Sequence, residues 1–220
     1  MAKTKQSPTR ESDRIESELR RLILNLELEP GLAVSEATLM KQYGWGRTPL
    51  REACQRLAEQ ALLQMVPRQG VVIMPLSVFD FVEVMDAMSM VIGTAAALAC
   101  KRLSNEQLEQ LDALVAQGEA AATNGDHIQV SEIDSEFHRI LADTTGNRYL
   151  SDYLVHLQRV ATRFNIATWK RDQDATPSLE EHRQLVELLR QRDTAKVKAA
   201  MLEHIENARQ RIMRSINIPE

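Results

Sequence analysis

The chain has 220 residues, 27 Lys+Arg against 31 Asp+Glu, and a formal net charge of −4. Apolar residues make up 44% of it, aromatics only 4%, and there are eight Gly, which excludes a mainly disordered chain and argues against an all-β fold. No apolar run reads as the ~20 residues of a bilayer span, and the basic start MAKTKQSPTR lacks the apolar core of an export signal. A cytoplasmic protein with no membrane partner is therefore expected. Two cysteines, Cys54 and Cys100, cannot form a disulfide framework, and each sits in an apolar helical pattern as a small buried hydrophobe.

Residues 1–76 carry 11 Lys+Arg and 9 Asp+Glu, whereas residues 77–220 carry 16 and 22. The front third is the cationic part, but only weakly, so charge alone does not mark it as nucleic-acid binding.

Residues 1–10 read as a mobile arm. Ile15, Leu19, Leu22, Ile23 and Leu26 then recur at helical spacing and predict a helix near 11–26. Pro30-Gly31 turns the chain. Ser35 is expected to cap a second helix, with Leu39 and Met40 facing inward and Gly44 stopping it. A third helix follows, with Thr48 as its predicted cap and Pro49 at its first position. Leu50, Ala53, Cys54, Leu57 and Ala61 form its apolar stripe, which leaves Thr48, Arg51, Glu52 and Gln55 on or beside the opposite face. Residues 62–66 and 71–74 read as two strands around a Pro67-Arg68-Gln69-Gly70 turn, and Pro75 closes the unit. Three helices followed by a β-hairpin describe a winged helix-turn-helix.

Beyond residue 77 every segment reads as helix. Ser77 caps 78–101. Ser104 and Gln107 form a capping box for 104–122, and Asp126 caps 126–143 after the Asn124-Gly125 break. Gly146-Asn147 precedes a helix over 148–171. Ser178 and Glu181 read as a second capping box for 178–191, and Asp193 or Thr194 starts the last helix, to about 216. Six helices with short connections predict an antiparallel all-α bundle over 77–220, behind a winged domain over 1–76.

A recognition helix needs polar side chains that reach base edges and phosphates, and an apolar back packed on its neighbours. Residues 47–57 supply both. Arg47 and Arg51 are the residue type that pairs with guanine O6/N7 or clamps phosphate. Thr48 and Gln55 add hydrogen bonds, and Arg68 and Gly70 sit at the hairpin tip, where a wing would approach DNA. Trp45 reads as packing in the turn. Solvated surface arginines are the competing reading of Arg47 and Arg51.

At these residues the run GLAVSEATLMKQYGWGRTPLREACQRLAEQALLQMVPRQGVVI resembles the N-terminal domain of the GntR family of bacterial regulators. Glu36, Leu39, Arg47, Pro49, Arg51, Glu52, Ala53, Leu57, Leu62, Arg68 and Gly70 match the family pattern over about 45 residues. The resemblance implies that Arg47 and Arg51 contact DNA and that the hairpin tip enters the minor groove. Gly46, Cys54 and Ala61 depart from the usual Ser, Leu and Gly.

All five histidines lie in the C-terminal region. Asp134 and His138 are at i and i+4, so their Cβ atoms lie ~5–6 Å apart on one helix face and can chelate one ion. His182 and His204 lie on two later helices that a bundle could bring to the same core. The competing reading is a surface Asp–His hydrogen bond and structural histidines.

Asp134-Ser-Glu-Phe137-His138, then Gly146-Asn147, Glu181-His182 and a late His204 resemble the FCD effector domain of the FadR-type GntR subgroup, in its six-helix, VanR-like form. That resemblance implies a divalent metal on Asp134, His138, His182 and His204, with zinc first and nickel or manganese as alternatives. His127 and His156 match no ligand position. It further implies a small carboxylate effector over the metal. Many relatives carry an Arg, and four residues later a Glu, where this chain aligns Met88 and Ile92, which points to a more apolar ligand lined by Met85, Met88 and Met90. Arg163 and Trp169 are further pocket candidates.

The expected function is a metabolite-responsive regulator, a repressor in the commoner family mode, which binds a double-stranded, pseudo-palindromic DNA operator as a homodimer. The alternative is a metal-dependent hydrolase using the same four ligands, for which no general base is evident. A purely structural helical bundle is the third reading.

Overall fold

A computed structural model describes residues 10–172 and 174–216. The expected mobile arm lies outside the described residues except for Arg10. The chain divides into two compact units, residues 1–75 and 76–220.

The first unit opens with α1 (Glu11–Leu24), whose Ile15, Leu19, Leu22 and Ile23 are buried on one stripe. The two-residue strand β1 (Ala33–Val34) follows, a pairing too short to show an alternating pattern in the sequence. Helix α2 (Glu36–Tyr43) begins at Ser35, whose Oγ accepts from the Thr38 backbone N–H at 3.0 Å, and ends at Gly44, with φ +72°. Of its two inward candidates, Leu39 is buried and Met40 only half-buried.

Helix α3 (Arg47–Glu59) corrects the predicted cap. Its N-cap is Gly46, with no side-chain hydrogen bond, and Leu50 N–H donates to the Gly46 carbonyl at 3.1 Å. The helix therefore starts before Thr48, which is exposed instead of bonding the helix end. Its back, Leu50, Ala53, Cys54 and Leu57, is fully buried. Arg56 ties it to α1 through Glu16 at 2.5 Å and Asp13 at 3.3 Å. Trp45 is buried and stacks on Tyr43 with centroids 4.6 Å apart, as packing in the turn.

Strands β2 (Leu63–Val66) and β3 (Gly70–Ile73) form the wing hairpin, and the sheet order is β1-β3-β2, antiparallel throughout. Val34 pairs with Val71, and Val66 with Gly70. Gly70 has φ +107°, and a Cβ there would lie 2.4 Å from the Val34 carbonyl oxygen and 2.6 Å from Ser35 Cα. Only glycine lets the hairpin seat against the start of α2.

The second unit holds six helices among the described residues: α4 (Val78–Arg102), α5 (Asn105–Thr123), α6 (His127–Thr144), α7 (Arg148–Asp172), α8 (Thr176–Arg190) and α9 (Thr194–Ile216). Helix α4 is central and packs against α6, α7 and α9, while α5 packs on α6 and α8. Ser77, Ser104 with Gln107, and Asp126 cap α4, α5 and α6 as their sequence positions predict. Asp193 accepts from Lys196 N–H at the start of α9.

Two expectations fail here. Helix α8 begins at Thr176, its N-cap Ala175 makes no side-chain bond, and Ser178 is buried inside its first turn, so the Ser178–Glu181 capping box does not form. Helix α4 is long and apolar enough to cross a membrane by length and composition, with a mean hydropathy of 1.5 over its most apolar 18 residues. Much of its apolarity goes into the bundle, where Phe81, Met85, Met88, Ile92, Ala95, Ala96, Ala99 and Cys100 are core residues, while Phe79 and Met90 stay exposed.

Candidate metal centre and DNA-reading face

Helix α6 carries Asp134 and His138 inward on consecutive turns, α8 brings His182 and α9 brings His204, and all four are buried. The three imidazole Nε2 atoms form a triangle with every edge 3.3 Å. Asp134 Oδ1 stands 3.6 Å from His182 Nε2 and 3.9 Å from His138 Nε2.

Protons satisfy this triangle only in part: in a mixed set of tautomers one Nε2–H donates to a neighbouring Nε2, and the third nitrogen is left without a partner in the triangle. Each neutral imidazole has one N–H, and three Nε2–H groups converging on one point would clash. With all three N–H groups on Nδ1, three lone pairs face one another in a buried space. A cation at the centre answers all three. Nitrogens bound at about 2.0–2.1 Å with tetrahedral angles stand about 3.3 Å apart, the spacing found here. A divalent ion therefore fits these residues, and three nitrogens with one carboxylate suit zinc, nickel and manganese.

The surroundings set the protonation needed. Burial, and then the proximity of His204, push His138 down to about 3, and burial pushes His182 well below its ordinary value, so both stay neutral and available as ligands. Burial raises Asp134 to about 6 against the pull of His204 and of the Gln158 amide, which donates to Asp134 Oδ2 at 2.8 Å. Glu181 holds the far side of His204, with Oε2 at 2.7 Å from Nδ1. Placing the imidazole proton on that Nδ1 leaves Nε2 bare toward the triangle. Arg211 grips both oxygens of Glu181, at 2.7 and 3.1 Å, and Asn207 donates to Oε1 at 3.1 Å. Burial tends to raise Glu181, but His204 and Arg211 outweigh it and hold the carboxyl at about 2. Phe137 stacks on His182 with ring centroids 4.2 Å apart.

In the first unit, Arg47, Thr48, Arg51, Glu52 and Gln55 are all exposed on one side of α3. Arg51 lies 3.3 Å from Glu36 of α2, which holds the guanidinium beside the helix start. Arg68 is exposed at the hairpin tip with φ +66°.

The FCD-domain model matches residues 83–207, and the model described as bacterial regulatory proteins, gntR family, matches residues 11–73. The chain belongs to the GntR family and carries an FCD domain. It is 27% identical over 192 residues to the uncharacterized HTH-type transcriptional regulator YdhC of Bacillus subtilis, which covers 87% of this chain and 86% of that one. It is 24% identical over 188 residues to the HTH-type transcriptional repressor RspR of Escherichia coli, across 86% and 82% of the two chains. The fold is shared with Escherichia coli McbR/YncC at a TM-score of 0.77 and 19% identity, over 95% of this chain and all of the other.

This GntR/FCD protein is thus a DNA-binding transcriptional regulator and not an enzyme, and both the hydrolase reading and the purely structural reading fall. GntR regulators bind operator DNA, and a small-molecule effector through the FCD domain.

A cavity of about 20 Å³ lies against Asp134, His138 and His204, with Gln158 and Met88 also in its lining. Arg163 and Trp169 do not line it. Gln158, Ala161 and Asn165 recur at i, i+3 and i+7 and present one face of α7 to the cavity, and Arg163 lies well round the helix from that face. Trp169 stands beyond it, packed with Ala121, Val130, Ile133 and Ala175. Met90 is 79% exposed on the outer side of α4, and Ile92 is a core residue that does not line the cavity.

Sequence reasoning read Glu181 as a capping partner and as the neighbour of a ligand in Glu181-His182, without joining it to His204, and passed over Gln158. No local spacing joins Glu181 to His204 or Gln158 to Asp134, because each pair is made by two different helices.

Proposed function

We propose that this GntR/FCD protein is a metabolite-responsive repressor that binds a pseudo-palindromic operator as a homodimer. Residues 1–76 form its reading domain and residues 77–220 its sensing domain. Arg47, Thr48, Arg51 and Gln55 read the major groove, and Arg68 reaches the backbone or minor groove. Gly70 belongs to the same wing contact, and its φ of +107° seats the hairpin against the start of α2. Asp134, His138, His182 and His204 hold a divalent ion, zinc first, with nickel and manganese as alternatives. An ion bound there supplies concentrated positive charge and open coordination positions for a small carboxylate.

The observation that carries the reading is the 3.3 Å triangle of Nε2 atoms, buried beside a cavity and joined in one chain to an exposed polar face on α3. A repressor relative supports the sign of regulation. Two half-sites need two reading heads. Phe79 and Met90 are 83% and 79% exposed, eleven positions apart and so on one stripe of α4, and they offer an apolar face to a second copy. Effector occupancy must favour one arrangement of the two heads to change DNA affinity. Residues 74–77, between β3 and α4, are the covalent route. The protein acts in the cytoplasm, as regulators of this family do.

Elemental analysis of purified, untagged protein tests the centre, beside His138→Ala and His204→Ala. Near-stoichiometric metal is expected in the parent and in neither variant. A parent protein that retains no metal after addition of zinc, nickel or manganese would remove the four-ligand reading and leave the DNA-reading half standing.

A further inference from the structure

Arg47, Arg51 and Arg68 do not share one electrostatic setting. Glu36, the first residue of α2, places Oε1 3.3 Å from Arg51 Nε. Among the described residues no carboxylate pairs with Arg47 or Arg68. The Glu36 and Arg51 side chains are 21% and 61% exposed, so the carboxylate is the anchored member and the guanidinium the projecting one. The anchor is held from two sides. Ser35 caps α2 one residue earlier through its Oγ, and Gly70 of the wing packs so closely that a Cβ there would lie 3.1 Å from Glu36 N. Wing, α2 and α3 therefore meet at Glu36. A glutamate in the first turn also complements the helix dipole, and a part-exposed ion pair adds little stability. Neither effect needs the carboxylate to lie against a side chain of the next helix.

We propose that Glu36 is a specificity-determining positioning residue, which directs Arg51 to a guanine edge and away from phosphate. This rests on the reading-face assignment above. The guanidinium is a planar fork of five N–H donors. A carboxylate at Nε leaves the two terminal nitrogens, whose parallel N–H groups match guanine O6 and N7. It also offsets the charge of Arg51. A phosphate drawn to Arg51 would meet the Glu36 carboxylate at close range, whereas a guanine edge carries no net charge to be repelled. Arg47 and Arg68 keep their full charge, which serves base or phosphate alike. Arg51 thus supplies little of the sequence-independent, salt-dependent attraction and much of the discrimination.

Selection from a duplex pool with a randomised centre tests this on the full chain, Glu36→Gln and Arg51→Ala, beside a salt series on one fixed duplex that lacks the selected site. The parent should enrich a guanine in each half-site that Arg51→Ala loses. Glu36→Gln should cut that enrichment by about fivefold or more. It should also bind the fixed duplex more tightly and steepen the slope of log K against log[salt] by about 0.9, the value for one further phosphate contact. Arg51→Ala should leave that slope nearly unchanged. Glu36→Asp keeps the charge but draws the carboxylate back by one methylene, so it should lose guanine enrichment without steepening the slope. A Glu36→Gln variant with parental enrichment and slope, or one weakened equally on both kinds of DNA, overturns the inference and leaves the reading face standing. An Arg51→Ala variant that selects the parental site removes Arg51 from base reading, and this inference with it. A parent that enriches no site overturns the reading-face assignment itself.

Discussion

The two units keep their working residues in opposite places. On the proposed reading face, Arg47, Thr48, Arg51 and Gln55 lie within nine residues on one helix, exposed, and their arrangement follows from helical periodicity alone. At the proposed metal centre, Asp134, His138, His182 and His204 come from three helices and are at most 6% exposed. The first site is local and wet, so each side chain acts nearly independently. The second is non-local and dry, so each group depends on its partners. Damage to the reading face should therefore be mild and additive, whereas damage to the centre should be severe and cooperative.

The largest expected effect breaks that simple contrast, because it strikes the exposed unit through its backbone. Gly70→Ala places a Cβ against Val34 and Ser35 at φ +107° and should destabilise the first unit by about 3 kcal/mol. Urea denaturation followed by hydrogen exchange of β1 and β3 reads it, and a change below the error of the midpoint would show that the wing re-seats freely.

Next comes the dependence of the buried centre on its supports. Glu181→Gln should lower metal affinity about 10–100-fold, because His204 loses its carboxylate and Arg211 its charged partner. Chelator competition measures this. Unchanged affinity would mean that the Glu181 contact does not orient the imidazole.

Arg51→Ala should weaken operator binding by about 1–3 kcal/mol and relax sequence preference if the guanidinium reaches a base. Arg68→Ala should instead lower the salt slope of binding by about one. A footprint and salt series that do not change would return both arginines to ordinary surface charges.

The smallest effect lies in acid. Burial tends to raise Glu16, but hydrogen bonds from Arg56 and Gln60 outweigh it and hold the carboxyl below its ordinary value of 4.5. Its contribution is present above about pH 4.5 and fades as pH falls through the lower folded-state value. Glu16→Gln should flatten the acid limb of the first unit's stability by under about 1 kcal/mol. An unaltered limb would assign acid sensitivity to other groups.

Local chemistry made much of this legible. Ser35, Ser77, Ser104 and Asp126 cap where their positions predict, since capping needs only a side chain and an N–H three residues away. The same rule misled at Thr48, where the helix starts earlier at Gly46, and at Ser178, which burial drew inside α8. Strand β1 has two residues and exists only because β3 pairs with it.

The sequence by itself determined the helices and the hairpin of the first unit, the exposed face of α3 and the Asp134–His138 pair, because each rests on short local spacings, whereas the β1–β3 pairing and the α1–α3 contact join residues some forty positions apart. Only the tertiary structure decided that three imidazoles converge to 3.3 Å, that Glu181 turns to His204, that Met88 faces the cavity, and that Arg163 and Trp169 do not. The reason is physical: helical periodicity assigns a side chain to a face, but which faces meet is settled by packing summed over the whole bundle.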